Sequence, residues 1–249
     1  MEPLRVAVAQ PVAVPGEIER NVETGVRLLG AAAEQGAAVV VFPELFLCCY
    51  DLDALARDPE RSDVREDDPR LEPLREACRA AGLTAVVGAS VRVGDARRIS
   101  ALVLGEDGET VVRADKVHVD RSELPLFEPG EPGAIDVRGW PLAIGICRDG
   151  SFPEHARAAA LAGALGYLCP VSHERVSVVH PARAFENTMY VALSNHVGPN
   201  ANGNSEIYGP EGEVLAAAGD ATDVVAVADF EPARLEALRA RRPYLEEAR

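Results

Sequence analysis

Short apolar runs recur along the whole chain, at residues 4–9, 37–42, 83–89, 101–104, 142–146, 164–168, 190–193 and 224–230. Val, Ile, Leu and Ala dominate them and several show no polar face, so they read as strands buried on both sides. Between them lie stretches with apolar residues three and four apart: 18–35 (Val22, Val26, Leu29), 69–81 (Leu71, Leu74, Cys78), 153–162 and 181–189. That spacing predicts helices, and strands alternating with helices predict an α/β fold. Glu106-Asp107-Gly108-Glu109 and Pro210-Glu211-Gly212-Glu213 break the alternation with turn signals between apolar segments. They predict hairpins, hence mixed sheets. The longest irregular stretch, 50–68, carries eight acidic residues against three arginines from Asp51 on and reads as a solvated surface loop.

Residues 1–249 contain no linker or low-complexity tract, so a single domain is expected. A net charge of −15 repels phosphate backbones and argues against nucleic acid as a partner. No apolar run approaches the roughly 20 residues that cross a bilayer, and Met1-Glu2-Pro3 does not open a signal peptide. A soluble, cytoplasmic protein without a membrane partner is expected. Five scattered cysteines suit reduced thiols, and with no CxxC or HxxxH spacing no metal site is expected.

Three reactive residues share one local setting. Glu44 follows the apolar run Ala38 to Phe42 and Pro43, Lys116 follows Thr110 to Asp115, and Cys147 follows Leu142 to Ile146. Ligands of α/β sheets bind at the carboxyl ends of strands, so the three could share a crevice. Taken singly, each has an ordinary structural explanation. Cys78 and Cys169 read as core, Cys48 and Cys49 as packing, and Arg183 with Glu186, three apart, as a structural ion pair.

The combination resembles the nitrilase superfamily of carbon-nitrogen hydrolases. VVVFPELFLCCY (39–50) is similar to its Glu motif, KVHVDRSELPLFEPG (116–130) to its Lys motif and GICRDGSFPEHAR (145–157) to its Cys motif. ARAFENTMYVALSNHVG (182–198) and GNSEIYGPEGEVLA (203–216) match later core segments. The resemblance implies a four-layer α-β-β-α sandwich of two mixed sheets and an amidase-like enzyme. It assigns catalysis to Glu44, Lys116, Cys147 and Glu123, needs no cofactor, and implies a homodimer paired through the helices at 152–162 and 181–189. Tyr50 and His173 become candidate substrate contacts. One departure stands out, because Arg148 occupies the position after the cysteine, where an aromatic residue is common.

The chemistry explains the residue types. A thiol with a pKa near 8.5 is only about 3% thiolate at pH 7, and a carboxylate base near 4.3 is mismatched to it by about four units. Burial raises a glutamate and an ammonium lowers a thiol, so enclosing Glu44, Lys116 and Cys147 together should narrow the gap from both sides. The expected reaction is thioester-mediated hydrolysis of a small linear amide. Alternatives are N-carbamoyl amine hydrolysis, acyl transfer from the same thioester, or a catalytically silent binding subunit. Arg148 could grip a substrate carboxylate. Its neutralisation by Asp149 or a nearby Glu, beside an acidic 51–68 mouth, instead predicts a neutral or amine-bearing amide.

Overall fold

The computed structural model of the chain describes residues 1–173, 178–198 and 201–248. Its first half contains strands β1 (Leu4–Gln10), β2 (Val39–Val41), β3 (Asp63–Val64), β4 (Thr84–Val93), β5 (Ala96–Leu104) and β6 (Thr110–Asp115). Among them run helices α1 (Ile18–Glu34), α2 (Leu52–Arg57), α3 (Pro59–Ser62) and α4 (Glu72–Ala81). The second half runs β7 (Gly133–Val137), β8 (Trp140–Ile144), α5 (Pro153–Leu161), β9 (Gly166–Pro170), α6 (Val179–Asn187) and β10 (Tyr190–Ser194). There follow β11 (Val197–Gly198), β12 (Ala201–Asn202), β13 (Glu206–Tyr208), β14 (Val214–Ala217), β15 (Val224–Phe230) and α7 (Pro232–Arg241).

One sheet has the order β15-β1-β2-β4-β5-β6, with β3 beside β4, and the other the order β14-β13-β10-β9-β8-β7. Each holds three neighbouring parallel strands, β1-β2-β4 and β8-β9-β10, flanked by antiparallel ones. Strand β1 displays the layering. Val6 and Val8 join Leu142, Ile144, Leu168 and Tyr190 between the sheets, whereas Ala7 and Ala9 pack with Leu28, Leu29 and Leu74 of α1 and α4. The period-two alternation of strand side chains thus feeds two cores at once. On the far side, Tyr167, Cys169, Val191 and Leu193 meet Ala156, Ala160 and Ala184 of α5 and α6. The result is the four-layer α-β-β-α sandwich, and the hairpins at 106–109 and 210–213 join β5 to β6 and β13 to β14.

The structure adds a strand that the sequence reading did not include and corrects two of its expectations. Strand β7 has no continuous apolar run, because Ala134 and Asp136 of this edge strand face outward. Helix α6 spans Val179–Asn187, earlier than 181–189, and ends where Thr188 adopts a left-handed φ of 46°. The stretch 50–68 is not irregular. Asp51 caps α2 by accepting from Ala54 N, Asp58 caps α3 by accepting from Arg61 N, and Asp63 is buried. Its acids build helix starts and an interior ion cluster, so the composition of a solvated loop conceals ordered structure.

Among the described residues no helix is long and apolar enough to cross a membrane, and no group of three His, Cys, Asp or Glu side chains is placed to hold a metal ion. All five cysteines are free thiols.

Candidate active site

Each motif is held at a strand end by local contacts. After β2, Pro43-Glu44-Leu45 turns sharply, with Leu45 at a left-handed φ of 51°. The turn crosses β4 so closely that a Cβ on Gly88 would lie 1.9 Å from the Pro43 carbonyl oxygen; only glycine fits there. Glu44 N donates to Val171 O of the facing sheet at 3.3 Å. Lys116, just past β6, is fixed by its own N–H to Ile99 O at 2.8 Å and by Gly130 N to its carbonyl at 3.0 Å. Cys147 opens a short 3-10 turn, Cys147–Ser151, between β8 and α5, with a left-handed φ of 46°. For a non-glycine residue that conformation costs about 1–3 kcal/mol and persists only where surroundings enforce it.

The side chains converge. Lys116 Nζ donates to Glu44 Oε1 at 2.6 Å and to Glu123 Oε1 at 2.7 Å, and all three are at most 1% exposed. Tyr50 OH also donates to Glu123 Oε1, at 2.6 Å, while Glu123 Oε2 accepts from Asp120 N at 2.7 Å. Among the described residues Glu44 Oε2 has no hydrogen-bond partner. In front of this cluster a cavity of about 330 Å³ is lined by Tyr50, Lys116, Glu123, Cys147, Arg148 and His173, among others. The structure therefore brings all seven candidates together, six on the wall and Glu44 behind Lys116.

Burial pushes the Glu44 carboxyl up to about 7; Lys116 opposes that rise and Glu123 adds to it. Burial works against the Lys116 charge, yet Glu44, Cys147 and Glu123 outweigh it and hold the ammonium firmly protonated. The thiol corrects the sequence expectation. Burial, reinforced by Glu44, pushes Cys147 above its ordinary value in spite of Lys116, so the glutamate moves toward the thiol but the thiol moves away from it, and the gap does not close. The resting pair is a protonated thiol beside a poised base, and the proton has to leave as the sulfur attacks.

Arg148 corrects a second expectation. Its guanidinium is paired with Asp120, at 2.6 Å, and not with Asp149. Asp149 points inward, accepting from Ile146 N at 3.0 Å, His118 N at 2.8 Å and His118 Nδ1 at 2.9 Å. It ties the Cys turn to the Lys segment, which sequence reasoning did not foresee, although an acid before a glycine is a familiar turn signal. Arg183 and Glu186 do pair, at 2.6 Å, and Arg183 also donates to Gly150 O at 2.9 Å and Ser151 O at 3.3 Å, bracing the same turn. None of residues 51–68 belongs to the described cavity wall. Ser172 and His180 join the wall without any sequence signal; Ser172 follows β9, and His180 is brought there by the packing of α6 against α5 and β10.

Residues 5–240 match the family described as carbon-nitrogen hydrolase. The chain is 30% identical over 223 residues to a protein named nitrilase from Pyrococcus abyssi, covering 86% of this chain and 85% of that one. It is 28% identical over 256 residues to the chloroplastic omega-amidase of Arabidopsis thaliana, covering 93% and 69%. The crystal structure of an amidase from Nesterenkonia sp. superposes with a TM-score of 0.83 at 30% identity, covering 96% of this chain and 94% of that one. A mutant of that amidase shows acrylamide joined by Michael addition to its active-site cysteine. The chain thus belongs to the carbon-nitrogen hydrolases of the nitrilase superfamily, enzymes that cleave carbon-nitrogen bonds other than peptide bonds.

Proposed function

We propose that the protein hydrolyses a small linear amide to the acid and ammonia through a thioester on Cys147. The observation that carries this reading is the Lys116 ammonium gripped by two buried carboxylates at 2.6 and 2.7 Å, behind a cavity that Cys147 lines. Glu44 takes the thiol proton as sulfur attacks the amide carbon and gives it to the departing amine, which leaves as ammonia. Glu44 then draws a proton from water, whose oxygen attacks the thioester carbon; the carbon-sulfur bond breaks and the thiolate regains the proton. Lys116 and the backbone N–H of Arg148 stabilise the tetrahedral oxyanion, where one good donor supplies about 3–4 kcal/mol. Glu123 positions Lys116, and Tyr50 orients Glu123. The addition of acrylamide to the cysteine of the Nesterenkonia amidase supports a nucleophilic thiol at this place in the fold.

A panel of short aliphatic amides and N-carbamoyl amines, followed for ammonia and carbon dioxide, tests this. Ammonia without carbon dioxide is expected, and none of it from Cys147→Ala. Carbon dioxide from the carbamoyl compounds alone would assign carbamoyl hydrolysis instead. The assembly we propose is a homodimer through α5 and α6, where Ala158, Ala159 and Ala162 border an apolar groove with Pro132, Ala134 and Ile144. Light scattering should give twice the chain mass, and 26.5 kDa at micromolar concentration would contradict it.

A further inference from the structure

On the cavity wall, the rings of His173 and His180 stack at 6.2 Å between centroids and 19° between planes. Among the described residues none of their four ring nitrogens has a hydrogen-bond partner, although His180 is only 4% exposed. Buried polar atoms are nearly always paired, so two unpartnered imidazoles on one cavity wall mark groups waiting for a ligand. Burial, with His173 and Arg183 adding to it, pulls His180 down to about 3, and burial lowers His173 as well. Both rings are therefore neutral near pH 7, each offering one N–H donor and one bare nitrogen acceptor.

Among the described residues the cations around the cavity are already committed: Lys116 to Glu44 and Glu123, Arg148 to Asp120, and Arg183 to Glu186 and two carbonyls. A charged distal group would enter without a free counter-charge, whereas an alkyl group would leave the ring nitrogens unpaired.

We infer that His173 and His180 form the distal subsite of the cavity and select amides whose far end is neutral and hydrogen-bonding, a hydroxyl or a second carboxamide. The inference rests on the amidase reading above. Its test measures binding to the Cys147→Ala protein, which needs no turnover. Calorimetry compares butyramide with its ω-hydroxy, ω-amino and ω-carboxy analogues, with and without His180→Phe or His173→Leu.

The ω-hydroxy compound is expected to bind about tenfold or more tightly than the other three. Each histidine change should remove that advantage while altering butyramide affinity by less than about threefold. In the protein with both histidines, the imidazole ¹⁵N resonances of both should shift with the hydroxy compound, a readout that needs no histidine substitution. Equal binding of all four compounds, preference for a charged one, or unmoved imidazole resonances would overturn the subsite and leave the amidase reading standing. Failure of every amide to bind would overturn both.

Discussion

Two of the buried charge clusters among the described residues are built to opposite rules. In the first, Asp63 Oδ1 accepts from Ser90 Oγ at 2.6 Å and from Arg97 at 2.9 and 2.6 Å, while Oδ2 accepts from Arg92 at 2.8 Å. Both oxygens are satisfied, and cations outnumber the anion. In the second, two carboxylates share one ammonium and Glu44 Oε2 is left unpaired beside a cavity and a thiol. A saturated cluster has no reason to exchange a proton. An unsaturated one, with a carboxyl raised to about 7, is poised to. Burial alone therefore does not separate structure from chemistry; the count of unmet bonds does.

The sharpest way to break this contrast is to remove one group from each cluster. Cys147→Ala, Glu44→Gln and Lys116→Ala should each lower kcat/KM by about a thousandfold or more, because groups that act as a unit fail together. Their thermal stability decides whether folding is the cause. Asp63→Ala should do the reverse. It strands Arg97 and Arg92 and should cost about 3–5 kcal/mol of stability, read as a lower denaturation midpoint, with kcat/KM per folded molecule within about threefold of the original. A large catalytic loss at Asp63 without loss of stability would erase the distinction.

A subtler change stays inside the reactive cluster. The kcat/KM profile should climb through a limb near pH 7, since only deprotonated Glu44 accepts the thiol proton. Because the Glu123 charge raises Glu44, Glu123→Gln should move that limb to lower pH while cutting the plateau, about tenfold to a hundredfold. A limb unmoved in this variant would show that Glu44 is not the titrating base. The same raised carboxyl has a stability signature of opposite sense. The folded state binds this proton more tightly than the unfolded chain, so its contribution is complete below the ordinary carboxylate range and fades as pH rises through about 7. Least affected should be Arg148→Ala. Its rim pair with Asp120 is more than a third exposed on both sides, and turnover of a neutral amide should change by no more than about threefold.

The sequence disclosed the strand ends that carry Glu44, Lys116 and Cys147, because buried strands leave unbroken apolar runs and each reactive residue stands just beyond one. It also disclosed that the three belong together, through motif resemblance and through the chemistry that makes a thiol need a raised base. What it hid was long-range or directional. Asp149 faces His118 across 31 residues, Arg148 turns toward Asp120, and His180 enters the cavity only because α6 packs against α5 and β10. Acidity in 50–68 misled for a related reason, since composition cannot tell a helix cap or a buried ion partner from a solvated charge.

The central claim is that Cys147 carries the acyl group during turnover. Rapid acid quench of the unaltered protein during turnover of an excess of a short amide, followed by peptide mass spectrometry, tests it most directly. The account predicts a fraction of molecules heavier by the amide minus ammonia, with the added mass on the peptide containing Cys147 and none in Cys147→Ala. An adduct on another residue, or undiminished ammonia release by Cys147→Ala, would contradict it.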